Sequence, residues 1–294
     1  MVVSLAELAC LDARVWLGTG EKAAARLQIV QSTISRNVRR VVQEFHLDVT
    51  HIGKSLQILG DQSFLNQERA LHQRFRWEHG LNLRLDAQYY SGPLLLEPAP
   101  DGWLLGEFDF MDVATPMQLL RDGILDVWIG VYPDTPEPDD PDFACVHLTR
   151  LPTHLVVAKG HPLLASPDPI GLDEIRSYPS LALPDGAFPK VQRRLEQLGL
   201  WSSPSRPSRY RMDLWEGRTA DQLTVGYATA FTLQLFPTPQ VVLPVSIDLA
   251  VGDSVIVRRC YADHPRFLAL LGLLRQRVSE LAETLPELTI VPQA

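Results

Sequence analysis

Cysteine is scarce in this chain and never clustered. Cys10, Cys145 and Cys260 lie far apart with no Cys-x-x-Cys pair, so neither a disulfide framework nor a cysteine zinc site is encoded. No apolar run approaches the ~20 residues that span a bilayer. The first helical stretch carries Glu7, Asp12 and Arg14, which does not fit the apolar core of a secretory signal. A reduced, cytoplasmic setting without a membrane partner is expected. Catalytic signatures are missing too: there is no GxxxxGKS/T phosphate loop, no GxGxxG after a strand, no GxSxG elbow and no HExxH pair. His46 and His51, or His147 and His154, stand at spacings that suit solvated or core histidines better than metal ligands. Glu107 and Asp109 alternate as on an exposed strand face, and Asp112 follows. The expectation is no metal, no cofactor and no enzymatic activity.

Charge is present but uneven. The formal net charge is −8, yet residues 1–60 hold seven Lys/Arg against five acids. Phosphate contact depends on the charge of the docking face rather than on the total, so separate roles for the two ends are plausible.

Those first 60 residues read as helices with short breaks. Ser4-Leu5-Ala6-Glu7 has the form of a capping box. Leu5, Leu8, Leu11 and Val15 follow at helical spacing up to Gly18-Thr19-Gly20. Ala23, Ala24 and Leu27 mark a second short helix. A turn at Gln28-Ile29-Val30 leads to a third, from about Gln31 to Phe45, with Ile34, Val38, Val41 and Phe45 inward. From Leu56 to His79 the pattern again reads as helical, with Gly80 as its stop. Such a helix would span ~36 Å and suits pairing with a second copy; packing on its own domain is the other reading.

After residue 80 short apolar strands alternate with helices. Leu81–Ala87, Trp103–Phe110, Val127–Val131, Leu155–Ala158, Ser180–Leu183, Val241–Val245 and Val255–Val257 read as strands. Met117–Asp122, Leu172–Ser177, Pro189–Leu198, Ala220–Tyr227 and Pro265–Thr284 read as helices. This alternation predicts α/β layers around a mainly parallel sheet. The acidic, proline-rich run Tyr132–Phe143 is expected to be an exposed loop.

The segment Ala23 to Arg40 has the form of a helix-turn-helix, whose second helix enters the major groove with its first residues at the base edges. Gln31 suits adenine, Ser32, Thr33 and Ser35 suit bases or phosphates, and Arg36 suits guanine. Arg39 and Arg40 suit phosphates. The alternative is an amphipathic helix with a solvated polar face. The string Ala-Ala-x-x-Leu-x-x-x-Gln-x-x-Ile-Ser-Arg, Ala23 to Arg36, resembles the winged helix-turn-helix of LysR-type transcriptional regulators. The segment Leu119-Leu120-Arg121-Asp122-Gly123-Ile124-Leu125-Asp126-Val127 resembles that family's helix-Gly-x-Leu-Asp element. Leu155-Val156-Val157-Ala158-Lys159-Gly160-His161-Pro162-Leu163 resembles its strand and Gly-His-Pro-Leu turn.

The resemblance implies an α/β protein with a winged helix-turn-helix at 1–60, a linker and dimerisation helix at 61–80, and an effector-binding regulatory domain at 81–294. That last part would resemble periplasmic binding proteins, with one lobe at about 81–179 and 246–294 and the other at about 180–245. Its partners would be double-stranded DNA, a small effector in the inter-lobe cleft, and itself, as a dimer and then a tetramer. Effector contacts are expected at Ser91 after the first strand, at Thr115 ahead of Pro116, and at Gly130; Thr115 also reads simply as a helix cap. The chain departs from the family pattern at Val30, where a Ser cap is usual, at Val41-Val42, where Leu-Glu is usual, and in a wing whose only firm positive charge is Lys54. These departures motivate an alternative, an effector-binding or protein-interaction module with weakened DNA binding.

Overall fold

Local caps start the chain's first helices where the sequence places them. In the computed structural model, residues 2–52, 55–166, 169–184, 186–201, 203, 204, 209, 223–234 and 239–292 are described. They fall into two compact units: residues 1–86, 98–107 and 117–128, and residues 87–97, 108–116 and 129–294. These limits differ from sequence-based divisions at 60 and 80, because the first unit gathers the N-terminal helices together with the start of the α/β part.

In the first unit α1 spans Leu5–Trp16, and the Ser4–Glu7 capping box is complete. Helix α2, Gly20–Leu27, is capped by Thr19 and ends at Gln28 in the left-handed region (φ 55°). Helix α3 covers Gln31–Glu44. Leu8, Leu11, Val41, Leu47, Leu56, Ile58 and Leu65 close one core, into which the antiparallel hairpin β1 (Asp48–Ile52) and β2 (Ser55–Leu59) packs in register Asp48 to Leu59. The expected helix from Leu56 is therefore corrected. Residues 55–59 are a strand, with Leu56 and Ile58 turned inward and Gln57 and Leu59 outward, a period of two rather than 3.6. Gly60 (φ 103°) breaks the chain, and α4 runs only from Ser63 to Glu78, ~24 Å. Gly80 stops it with φ 66°, as the sequence predicts.

Strands β3 (Leu83–Ala87) and β4 (Trp103–Leu105) pair in parallel. Helix α5 (Ser91–Leu95) is short, α6 spans Ala114–Arg121 and β5 spans Val127–Tyr132. Both β3 and β5 run on from the first unit into the second.

The second unit continues with β6 (Phe143–His147), β7 (Thr149–Ala158), α7 (Leu172–Ile175), β8 (Leu181–Ala182), α8 (Pro189–Gln197), β9 (Ser203–Pro204), β10 (Gly226–Ala228), α9 (Ala230–Leu233), β11 (Gln240–Arg258), α10 (Pro265–Thr284) and β12 (Thr289–Ile290). Its strand order is β10–β7–β11–β5, with β12 on β7 and β6 on β11. The pairs β10–β7, β7–β11, β6–β11 and β12–β7 are antiparallel, so the sheet is mixed rather than mainly parallel. The cause is β11: the two strands expected near 241 and 255 are one 19-residue strand, long enough to run back along both β6 and β7. Gly226–Ala228, expected to end a helix, is a strand because its backbone completes a ladder on β7; residues 220–222 of that expected helix lie outside the described residues. Leu155, Val157, Phe188, Val191, Leu243 and Ile247 form the core here. No described helix is long and apolar enough to cross a membrane.

Candidate nucleic-acid interface and ligand cavity

Helix α3 turns Ile34, Val41 and Val42 inward, which leaves the opposite side to water. Gln31, Ser32, Ser35, Arg36, Arg39 and Arg40 are exposed and Thr33 is half-buried. Ser32, Ser35, Arg36 and Arg39 follow the three- and four-residue spacing of a single helix face. Val30 provides no side-chain bond to the first turn, so the amides at that end keep their capacity for an anion. Arg40 is exposed as well, and its guanidinium lies 2.9 Å from Glu7 of the α1 capping box. Lys54 lies outside the described residues. A groove of about 720 Å³ runs between α3 and the hairpin, lined by Gln31, Ser35 and Arg39 and also by Arg14 and His51, two residues the sequence reading did not single out.

Beneath this face sits a buried polar network that was not foreseen. Asp12, on the inner side of α1, receives Arg69 Nε from α4 at 2.9 Å and Arg84 Nη1 from β3 at 3.0 Å. All three side chains are almost wholly buried. Burial by itself would raise the Asp12 carboxyl, but Arg69 and Arg84, with Arg76 farther off, outweigh it and hold the group below its ordinary value. Asp126 accepts Gln73 Nε2, both Arg76 Nε and Nη2, and the backbone amide of Arg84. One residue beyond Leu85, Asp86 accepts the indole N–H of Trp16 at 2.6 Å. At the rim, Glu107 takes Lys22 at 3.0 Å and Arg26 at 3.1 Å. Within the first unit, β3 thus grips α1 through Arg84 and Asp86. The sequence signal was Asp12 itself, a carboxylate one position after the inward Leu11 and one turn after Leu8.

The second unit contains a cavity of about 100 Å³. Tyr89, Tyr90, Met111, Val131, Phe188 and Tyr227 supply much of its apolar wall, and Gln88, Thr153, Thr229 and Thr232 its polar part. Gln88 to Tyr90 directly follow β3, so the strand that grips α1 leads straight into the cavity wall. Thr229 and Thr232 satisfy each other in a capping box on α9. By contrast, Gln88 Nε2 and Thr153 Oγ1 are buried without a hydrogen-bond partner, and the Tyr90 hydroxyl is engaged with the Ser91 side chain. Burial, then the nearby Asp253 carboxylate, pushes the Tyr90 phenol well above 10, which keeps it a neutral donor.

None of the three expected effector contacts lines this cavity. Ser91 is wholly buried and its hydroxyl donates to Asp253, whose other oxygen accepts Thr149 Oγ1 at 2.6 Å. Thr115 is not a cap: it sits inside the first turn of α6, and its hydroxyl donates to Asp112 at 3.0 Å. Gly130 is buried within β5, and the residue after it, Val131, reaches the cavity instead. The neighbours Tyr90 and Val131 stand one position away from Ser91 and Gly130, because successive side chains along extended backbone point to opposite sides.

The family model of the LysR substrate-binding domain matches residues 107–279. Among solved structures, a variant of full-length OxyR from Pseudomonas aeruginosa aligns with 99% of this chain and 99% of its own, with TM-score 0.58 and 18% identity. Full-length CbnR in complex with its target DNA aligns with 94% of this chain and 100% of its own, at TM-score 0.53 and 17% identity. A variant of full-length BenM covers 99% of each chain at TM-score 0.53 and 19% identity. At such identities the likeness is one of fold. No curated protein sequence matches the chain.

Proposed function

The chain belongs to the LysR-type transcriptional regulators, and on that premise we propose that it binds operator DNA through α3 under the control of a small effector held in the cavity of the second unit. The exposed row of Gln31, Ser32, Ser35, Arg36 and Arg39 on one face of α3 carries this reading. Gln31 to Arg36 occupy the first two turns of the helix, where base edges are reached, and Arg39 further along meets phosphate. Arg40 and Lys54 supply additional positive charge in the proposal; Arg40 would exchange Glu7 for a phosphate. The regulatory part comprises two lobes, about 81–179 with 246–294 and about 180–245.

Two copies pair through α4 in this reading. Phe64 is 72% and Leu71 48% exposed in the single chain, and they lie seven residues apart on one face, where a second helix covers them. Paired heads then read half-sites related by a two-fold axis, and further pairing gives a tetramer. The protein acts in the cytoplasm and performs no catalysis of its own. Effector control is a population shift: a ligand that prefers one arrangement of the regulatory part favours it. Arg84 and Asp86, which hold α1, and Gln88–Tyr90, which wall the cavity, lie within seven residues of one another in the chain.

Fluorescence anisotropy on DNA from upstream of the protein's own gene, across a salt series and against scrambled competitor, tests the proposal. Competitor-resistant binding that falls at least tenfold in Gln31→Ala and Arg36→Ala supports direct readout. Binding that is unchanged in both variants refutes the assignment of α3. Absence of binding even at low salt favours the alternative of an effector-binding module with weakened DNA contact, which the uncapped Val30 and the Arg40–Glu7 pair also support.

A further inference from the structure

The cavity's walls specify the kind of molecule that fits it. None of the described residues lining it is Asp, Glu, Lys, Arg or His. An ion entering it would lose its hydration and meet no counter-charge on the described wall. Asp253, the carboxylate that acts on the Tyr90 phenol, is tied to the chain position after Tyr90 through Ser91, and its two oxygens accept the Ser91 and Thr149 hydroxyls. Its charge disfavours an anion nearby, and both of its oxygens already accept a hydroxyl. What the wall does offer is donors: Gln88 Nε2 and Thr153 Oγ1 are buried without partners, while the Tyr90 hydroxyl is engaged with Ser91. Buried polar groups in native proteins are nearly always satisfied, and two such groups around one cavity call for an acceptor. Thr229 and Thr232 are already satisfied by one another. Since an apolar cavity of about 150 Å³ holds benzene, the space of about 100 Å³ here suits roughly five or six heavy atoms.

We propose that the effector is an uncharged, largely apolar small molecule, or carries such a group at one end, with a carbonyl-type oxygen that accepts from Gln88 and Thr153. This rests on reading the cavity as the effector site. A charge-matched series separates the two ideas: isobutyramide, isobutyrate and isobutylammonium have nearly the same shape and differ in charge at neutral pH. Ligand-observed NMR titration on the full-length protein is expected to show the amide binding, with both ions at least tenfold weaker. Gln88→Ala combined with Thr153→Val is expected to weaken the amide on the order of tenfold, whereas Val131→Phe, or Ala228→Leu from another part of the wall, abolishes binding by filling the space; circular dichroism establishes that each variant is folded. Isobutyrate or isobutylammonium binding as tightly as the amide overturns the proposed ligand class and leaves the cavity as the effector site. Binding by none of the three, or binding unaffected by both filling substitutions, overturns the cavity as the site and the proposal with it.

Discussion

Asp12→Ala is the substitution that most directly tests how the N-terminal head is held. The carboxylate accepts Arg69 and Arg84 at 2.9 and 3.0 Å, with both guanidiniums nearly sealed from water. Without it each arginine keeps one neutral acceptor, Asn66 Oδ1 for Arg69 and the Ile124 carbonyl for Arg84, and loses its hydrogen-bonded carboxylate, with only the more distant charges of Asp122 near Arg69 and Asp126 near Arg84 remaining. Removing one member of a buried ion cluster costs about 3–5 kcal/mol, a large part of the roughly 5–15 kcal/mol that keeps a domain folded. At about 2–4 °C per kcal/mol for a chain approaching this size, the thermal midpoint falls by roughly 6–20 °C. Urea unfolding followed by tryptophan fluorescence reads the loss, because Trp16 lies on the same helix. Hydrogen exchange then locates the weakening at the amides of α1, α4 and β3. The triple variant Asp12→Leu, Arg69→Met, Arg84→Met provides the counter-test, since replacing a whole buried ion cluster by apolar residues is often neutral or stabilising. A loss below about 1 kcal/mol in Asp12→Ala, the range of an exposed pair, would refute the argument that these charges are desolvated and mutually dependent.

Three further outcomes follow from the geometry. Because the Asp12 carboxyl is held below its ordinary value, its stabilisation is complete above the unfolded value of about 3.9 and is lost as pH falls through the lower folded value. The urea midpoints of wild type and Asp12→Asn are therefore expected to converge below about pH 4, and a gap that stays constant down to pH 2 would count against it. Gly106→Ala places a Cβ 1.9 Å from Asp86 Oδ2, so the carboxylate must leave Trp16; the Trp16 indole N–H resonance is expected to move, with stability lowered by about 1–3 kcal/mol, and an unshifted resonance contradicts this. Phe64→Glu with Leu71→Glu is expected to turn a dimer into monomers in sedimentation without lowering the monomer's thermal stability by more than about 1 kcal/mol, since both side chains are exposed in the single chain; a persisting dimer would place the pairing face elsewhere.

Legibility followed the range of the interactions. Helix α1 and its capping box, the turn at Gln28, α3 with its uncapped Val30, and α10 from Pro265 to Thr284 were all readable because caps and 3.6-residue periodicity involve neighbours in sequence. Leu56 to Leu59 misled because four residues are too few to tell a strand from a helix turn, and only the Asp48–Leu59 register decides between them. The strand Gly226–Ala228 and the full length of β11 depend on pairing with β7, some 70 to 100 positions away. Among the candidate site residues, the polar face of α3 lay where periodicity put it. Ser91, Thr115 and Gly130 did not line the cavity, because the sequence marked the right turns and strands but not which side of them faces the empty space.

The sequence by itself determined that this chain has helices at its N-terminus with an exposed polar face on the third, α/β segments after residue 80, and segments that resemble the LysR family across both. Tertiary structure alone decided which charges are buried and which positions meet. Asp12 and Arg69 are 57 residues apart, and Ser91 and Asp253 are 162 apart. A carboxylate within an apolar helix face is stable only beside a cation brought there by another element, and an uncharged cavity exists only where several elements fail to fill the same space. Neither condition is local, so neither is written in the order of the residues.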